Sequence, residues 1–410
     1  MKNKKIAIII QHLAKGGAEA SAARLSKGFF KAGFDPVIIV FNNIADYDFA
    51  GRLVSLDAGS GNSNIVRKIF SFFKRLNTVK KIKAKEKFAA SISLMENANF
   101  INILSRKGEK VIISVRNDIP HRLKELPFYK RFLVKTLYRL ADKCVLISKK
   151  MRKDAIKLLR VPEPKAALLY NPIETKQIKK IARENPGEYG PIFDSPVVIN
   201  SGRLQPHKGQ WHLIRIFREL KKSCSGLKLV ILGYGDGFLK NYLTDLSIKC
   251  GLKTYTEWGN MPLNNGYDVY FLGFVRNPYR LIARSKLFLF PSVSEGLGNS
   301  LIEALACGTP VISSDCLTGP ADILAPERDT DERAVKPVYK KYGVLMPPFD
   351  GKLKNSAAPL SRREQMWIET AGKFLENPLP PPVVSESCVK KAKEFDTEKI
   401  MPGWRKIANE

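Results

Sequence analysis

Short β-branched runs alternate with longer amphipathic stretches along the whole chain. In the first half the runs are Lys5–Ile10, Pro36–Val40, Ala89–Leu94, Lys110–Val115, Cys144–Ile147 and Ala166–Tyr170. They are almost continuously apolar, the pattern of strands covered on both faces. Between them, Ala18–Lys31 and Phe128–Leu140 place apolar residues at helical spacing. The pattern restarts with Val197–Ser201, Lys228–Leu232, Val269–Leu272, Leu287–Phe290, Val311–Ser313 and Gly343–Met346. Strand and helix repeated in this way predict two doubly wound, parallel-sheet α/β domains in tandem. The join falls near Asn171-Pro172-Ile173-Glu174, and the Gly/Pro-rich 185–196 segment completes the linker. The expected division is 1–172, 173–387 and a closing segment 388–410. Open parallel sheets bind ligands beyond the carboxyl ends of their strands, so the informative residues should lie on strand-to-helix loops.

A chain of 410 residues exceeds what one core usually serves, in line with two domains. No run reaches the roughly 18–20 apolar residues that cross a bilayer. Met1-Lys2-Asn3-Lys4-Lys5 before Ile6–Ile10 mimics a signal peptide, but the apolar run is short and reads better as a buried first strand. Six cysteines (144, 224, 250, 307, 316, 388) are scattered without CxxC pairs, against a zinc site or disulfide framework and suited to a reducing cytosol. The net charge of +30 is uneven. Residues 1–172 carry 35 Lys+Arg against 13 Asp+Glu, hence +22, and the remaining 238 carry 34 against 26, hence +8. The first half therefore meets something anionic: nucleic acid, an acidic membrane surface or a phosphorylated substrate.

Two loops of the second half carry candidate chemistry. In Val198-Ile199-Asn200-Ser201-Gly202-Arg203-Leu204-Gln205-Pro206-His207-Lys208-Gly209, two glycines permit tight turns around Arg203 and Lys208. A guanidinium fork and an ammonium on one loop can grip a diphosphate and stabilise it as a leaving group; a solvated basic loop is the plain alternative. The second segment runs from Leu287 to Pro310, where a buried strand enters Ser294-Glu295-Gly296-Leu297-Gly298 and a helix begins near Asn299. Free amides at that start, around Gly296–Ser300, suit a phosphate. Glu295 and Glu303, eight residues apart, could reach a sugar and a ribose respectively, since carboxylates accept from hydroxyls. Singly, Glu303 would only complement the helix dipole.

These residues resemble the large retaining glycosyltransferase family numbered four, of the GT-B type with two facing Rossmann-like domains and an interdomain cleft. The resemblance runs through Gly16-Gly17-Ala18-Glu19, Asn171-Pro172-Ile173-Glu174, Ser201-Gly202-Arg203, Lys208-Gly209, Leu272-Gly273-Phe274, Asn277-Pro278, the Glu295/Glu303 pair, Ala304–Pro310 and Gly319-Pro320. It ends in Ala392-Lys393-Glu394-Phe395 and Trp404, which resemble a last helix that crosses back to the first domain. It implies that Arg203 and Lys208 bind a nucleotide sugar's diphosphate and that Glu303 binds the ribose. Glu295 with the amides of Gly296, Leu297, Gly298, Asn299 and Ser300 would hold the transferred sugar. Gly273 and Phe274 would line the base pocket, while Gly16 and Gly17 let backbone approach the reacting groups. It further implies retention of configuration without a bound metal or other cofactor. Asp46-Tyr47-Asp48 spells the Asp-x-Asp string that other transferases use for a divalent ion, but reads as a solvated loop.

One departure concerns the loop after the fourth predicted strand, where many relatives carry a histidine. Here it reads Arg116-Asn117-Asp118-Ile119-Pro120-His121, and Arg116, Asn117, Asp118 or His121 could face the acceptor. His12 and His207 are alternatives for an acid/base role, and His212 is the remaining histidine. Residues 66–88 hold nine Lys/Arg against one acid, with an apolar stripe at Ile69, Phe72, Phe73, Leu76 and Val79. Such a helix suits an anionic membrane, or packs its stripe on the sheet with its lysines in water. The expectation is a hexose or N-acetylhexosamine transferase, UDP-dependent, working peripherally at the cytoplasmic membrane face on a lipid-linked, lipopolysaccharide, capsule or O-antigen acceptor. An epimerase or hydrolase of the same fold would share the donor clamp. A basic RNA-binding protein should show aromatic sheet faces or zinc knuckles; the sequence has neither, so nucleic acid is not an expected partner.

Overall fold

A computed structural model describes residues 4–14, 16–56, 65–235, 237–376 and 381–410. They form two compact units, Met1–Ile173 with Phe395–Glu410, and Glu174–Glu394.

The first unit is a seven-stranded parallel sheet: β1 (Lys5–Ile10), β2 (Asp35–Val40), β3 (Arg52–Ser55), β4 (Ala90–Leu94), β5 (Lys110–Val115), β6 (Lys143–Leu146) and β7 (Ala166–Leu168). Their spatial order is β3-β2-β1-β4-β5-β6-β7, and every pairing is parallel. The order reverses between β1 and β4, so the loops after these two strands flank a crevice. β3 escaped the sequence reading because it is a short, partly exposed edge with only Leu53 and Val54 apolar. The closing helix, Thr397–Asn409, lays Ile400, Met401, Trp404 and Ile407 into the core with Ile6, Ile8 and Phe29. It comes so near the helix Gly17–Lys31 that a Cβ on Gly28 would lie 2.6 Å from Met401 Sδ. The crossing begins later than expected. Cys388 and Ala392 are buried on a helix, Pro381–Ala392, that belongs to the second unit, and the chain joins the first only at Phe395, where Ile173 and Asp396 pair.

The second unit holds β8 (Val197–Ser201), β9 (Lys228–Leu232), β10 (Thr254–Thr256), β11 (Val269–Phe271), β12 (Leu287–Phe290), β13 (Val311–Ser314), β14 (Val338–Lys340) and β15 (Gly343–Met346). The order is β10-β11-β9-β8-β12-β13-β15-β14, parallel except for β14 on β15. The two edges, three residues each, were too short to read from sequence. Here the reversal lies between β8 and β12. Trp211 and Phe217 of the helix Gln210–Ser223 pack with Trp367 of the helix Arg362–Glu376. Beneath them Glu364 is fully buried and takes hydrogen bonds from Arg215 Nε (2.9 Å) and from the Ser361 amide (2.8 Å), with His212 Nδ1 at 2.9 Å. Ser361 Oγ in turn accepts from the Glu364 amide, a reciprocal capping box that starts this helix. Burial alone would raise the Glu364 carboxyl, but the hydrogen bonds from His212, Arg215 and Ser361 hold it at about 2.

Candidate active site

In the second unit the loops after β8, β9, β11, β12 and β13 are tied to one another, largely through backbone. The Gly202 amide donates to Leu232 O (2.9 Å), Leu204 N to Tyr234 O (2.8 Å) and Gly233 N to Gly273 O (2.7 Å). Gly233 has φ +145°, and a Cβ there would sit 2.0 Å from Gly202 O. Only glycine lets these strand ends close on each other. Arg203 thus stands between two anchored neighbours while its own side chain is exposed.

Lys208 ends a short 3-10 turn, Pro206–Lys208, and is followed by Gly209 in the left-handed region. Its stem passes Gly202, and its ammonium meets Glu295 Oε1 at 2.6 Å with both side chains largely buried. The His207 carbonyl accepts from Val293 N (2.8 Å), which locks the loop after β8 to the loop after β12. Glu295 O also accepts from Thr318 Oγ1, and a Cβ on Gly319 would lie 2.3 Å from Leu297 O. Lys208 and Glu295 therefore meet where the strand order reverses, the position at which open α/β sheets bind ligands.

Gly298 (φ +96°) caps the helix Asn299–Ala306, which starts where the sequence placed it. Asn299 and Ser300 open that helix, Gly296 precedes it half-buried, and Leu297 is buried beneath. Glu303 lies half-buried one turn inside. Burial and the Glu303 charge together push the Cys307 thiol up. Gly273 takes φ +61°, and a Cβ there would clash with the Glu257 carboxylate at 2.1 Å. Phe274 remains 40% exposed, its ring T-shaped to that of Tyr234. Gly233, Tyr234, Gly235 and Glu257 had no place in the sequence reading. Leu232-Gly233-Tyr234-Gly235-Asp236-Gly237 directly after a strand was the signal that could have found the first three.

The first unit's candidates separate by role. The Gly16 amide donates to Tyr47 OH (3.2 Å), and the Glu19 carboxylate folds so close that a Cβ on Gly16 would be 2.2 Å from Oε2. Gly16 is extended, so space and not conformation requires glycine there; Gly17 opens the helix beside it, exposed. The Asp46–Asp48 segment pairs beside this loop through Asp46 N to Leu13 O (2.9 Å), so its tyrosine supports Gly16. His12 Nδ1 accepts from the Ala14 amide and lies 3.7 Å from Glu19. Asp118 is the N-cap of the helix Ile119–Glu125, accepting from His121 N (3.2 Å). His121 itself turns outward to Glu125 (3.1 Å), and Asn117 is exposed. Arg116 is buried, with Nη1 2.5 Å from Asn171 Oδ1. His212, buried with Glu364 and stacked on Phe349, is structural.

The basic helix spans Ile65–Glu86 and divides its stripe. Leu76 and Val79 are buried and Phe72 packs on the core, whereas Ile69 and Phe73 join Phe70 outside. Its lysines do not all face water: Lys83 is buried, 2.7 Å from Glu109, and burial lowers it to about 8 against the pull of that carboxylate. A second exposed apolar face lies on the helix Phe128–Leu137, where Phe128 is 85% exposed and Tyr129, Phe132 and Leu133 also face outward. No acid occurs from 126 to 141, against Lys130, Arg131, Lys135 and Arg139.

Two doubly wound parallel sheets in tandem, with a glycine-tied loop cluster at the reversal of the second, define the GT-B class. The profile "Glycosyltransferase Family 4" matches residues 15–177 and "Glycosyl transferases group 1" matches 182–337. An uncharacterized glycosyltransferase of Methanocaldococcus jannaschii is 34% identical over 303 residues, covering 72% of this chain and 71% of that protein. The N-acetylgalactosamine-N,N'-diacetylbacillosaminyl-diphospho-undecaprenol 4-alpha-N-acetylgalactosaminyltransferase of Campylobacter jejuni is 28% identical, covering 78% and 83%. HepE of Anabaena, solved in complex with UDP, superposes with TM-score 0.70 at 15% identity over 98% of each chain. The chain belongs to glycosyltransferase family 4, and it is a transferase.

Proposed function

We propose that the chain moves a hexose or N-acetylhexosamine from a UDP-sugar, with retention of configuration, to a lipid-linked or lipopolysaccharide-type glycan. The observation that carries this reading is the Lys208–Glu295 pair at the strand-order reversal, beside the start of the helix Asn299–Ala306. Lys208 keeps further N–H donors when it pairs with one carboxylate oxygen. With Arg203 and the amides around Asn299 it meets the charge that develops on a leaving diphosphate. The donor's C1–O bond breaks toward that diphosphate, the acceptor oxygen forms the new bond on the same face, and its proton passes to the leaving phosphate oxygen. In this reading the cations do the work of charge stabilisation and no resident metal takes part. The UDP complex of HepE supports a uridine donor, and the undecaprenol-linked substrate in the Campylobacter enzyme's name supports a lipid-linked acceptor. The exposed aromatic and basic faces of Ile65–Glu86 and Phe128–Leu137 support docking on an anionic bilayer from the cytoplasmic side. Among the described residues no helix is long and apolar enough to cross a membrane.

The test is incubation with labelled UDP-, GDP- and ADP-sugars, with and without bacterial lipid extract and with EDTA throughout. Label passing from the UDP-sugar to an extractable lipid is expected. Donor conversion without acceptor would instead mark an epimerase or hydrolase, and rescue by added Mg²⁺ alone would overturn the metal-free reading.

A further inference from the structure

Arg116 is the most deeply buried cation among the first unit's candidate site residues, and its hydrogen bonding is incomplete. Nη1 is taken up by Asn171 Oδ1 at 2.5 Å, while Nε and Nη2 are buried and have no hydrogen-bond partner among the described residues. Nη1 lies on the Cδ side of the guanidinium. The two remaining nitrogens together form the opposite, side-on edge, which meets a carboxylate or phosphate through two parallel hydrogen bonds. Burial lowers the Arg116 pKa to about 9, with Glu19 pulling the other way, so the group stays charged at neutral pH. A buried cation with an unclaimed pair of donors is costly to keep unless something supplies the missing acceptor.

The side chain is also held in place. Arg116 directly follows β5, and Asp118 two residues on fixes the chain by capping the next helix. Asn171, just beyond β7, holds the far side of the guanidinium. The neighbouring residue at the reversal is strained: Met95, after β4, has φ +78° and ψ 157°, a region that side chains other than glycine rarely occupy. Such strain gathers where a site is over-determined by its surroundings. Met95, Arg116 and Asn117 also line a cavity that continues over Ile119 and Leu123.

We propose that the Nε–Nη2 edge of Arg116 is a subsite for one oxyanion of the acceptor, a phosphate or a sugar carboxylate. This rests on the glycosyltransferase reading, in which the first unit receives the acceptor. A phosphate belongs to a lipid diphosphate carrier, and a carboxylate to a uronic-acid residue of the growing glycan. The subsite makes the chain selective for a charged acceptor over a neutral one of the same shape.

The experiment uses the full chain labelled with ¹⁵N-arginine, with UDP at saturation so that the second unit's cations are occupied. Phenyl phosphate, phenyl β-glucuronide and neutral phenyl β-glucoside are titrated in separate arms. The readout is the Arg116 Nε–H resonance, assigned by its loss in Arg116→Lys. One anion is expected to shift that resonance and slow its hydrogen exchange, while the glucoside leaves it unmoved. A phosphate response identifies the lipid-carrier source and a glucuronide response the uronic-acid source. Arg116→Gln should weaken binding of the responding anion by about thirtyfold, and Arg116→Lys by less, with the glucoside unaffected in both. No shift with either anion, or equal binding by Arg116→Gln, overturns the subsite. If Arg116→Gln does not fold, the native-chain resonance decides alone. Failure of UDP to bind would count against the donor reading, whereas the Arg116 resonance titrated without UDP still judges the subsite.

Discussion

Both units are doubly wound and reverse their strand order once beside the first strand, yet they build different candidate sites near that point. In the second, the reversal is closed by backbone: glycines at 202, 233, 273 and 319 let five loops touch, and the two central charges neutralise each other as Lys208 and Glu295. In the first, the loop after β4 carries a strained Met95, and the neighbouring loop, after β5, carries a buried guanidinium only partly hydrogen-bonded. The surfaces differ as well, with +22 of the net charge and the exposed Phe70, Phe73, Phe128 and Phe132 all in the first 172 residues. A pre-formed cluster of amides and paired charges suits one recurring ligand part, a diphosphate. Under the proposed function, the charged and incompletely paired first unit is the one that receives an acceptor from a membrane.

The sharpest way to break this contrast is to unsettle the rigid half. Glu364→Gln leaves the buried Arg215 without its carboxylate and should cost about 3–5 kcal/mol, read as a lower calorimetric transition for the second unit alone. The same network fixes a pH dependence. The folded Glu364 titrates near 2 against an ordinary 4.5, so its stabilisation is complete above about pH 4.5 and fades as pH falls toward 2. Acid melts of the native chain should show that loss, and Glu364→Gln should lack it.

Next in size, Lys208→Ala should lower sugar transfer by about 10²–10³, as for removal of one stabilising group in a preorganised site, in a chain that still folds but melts lower because Glu295 loses its partner. Full activity in this variant would move the diphosphate site elsewhere. The surface of the first unit is tested by Phe128→Ser with Phe132→Ser, expected to weaken binding to anionic vesicles by about a hundredfold or more, since each buried phenyl contributes about 1.5–3 kcal/mol. Vesicle binding that survives here but fails in Phe70→Ser with Phe73→Ser would assign docking to the other helix. The smallest effect is Met95→Gly, which should raise stability by about 1 kcal/mol by relieving the backbone. A loss instead would show that the Met95 side chain outweighs its strain.

Much of the second unit's candidate site was legible because its residues lie close together in sequence. Gly202, Arg203, Lys208, Glu295, Gly298 and the helix start at Asn299 lie on two contiguous segments, and strand-to-helix loops are recognisable from periodicity. Most long strands matched to within one residue, since continuous apolar runs leave little choice of ends. The first unit was less legible. Asp118 and His121 looked like acceptor-side groups, but one caps a helix and the other turns to Glu125. The lysines of Ile65–Glu86 were expected at the surface, against lipid or in water, yet Lys83 is buried against Glu109, which comes from the loop before β5.

By itself the sequence determined the order of strands and helices, the two-domain class and the loops that bear charge, because each is written in neighbouring residues as period, length and turn chemistry. Tertiary structure alone decided which charges meet. It paired Lys208 with Glu295 across 87 positions, His212 with Glu364 across 152, and left two nitrogens of Arg116 open beside Asn171. Such pairings follow from strand order, and strand order is set by how sheets and helices bury their faces together, which no local stretch of sequence contains.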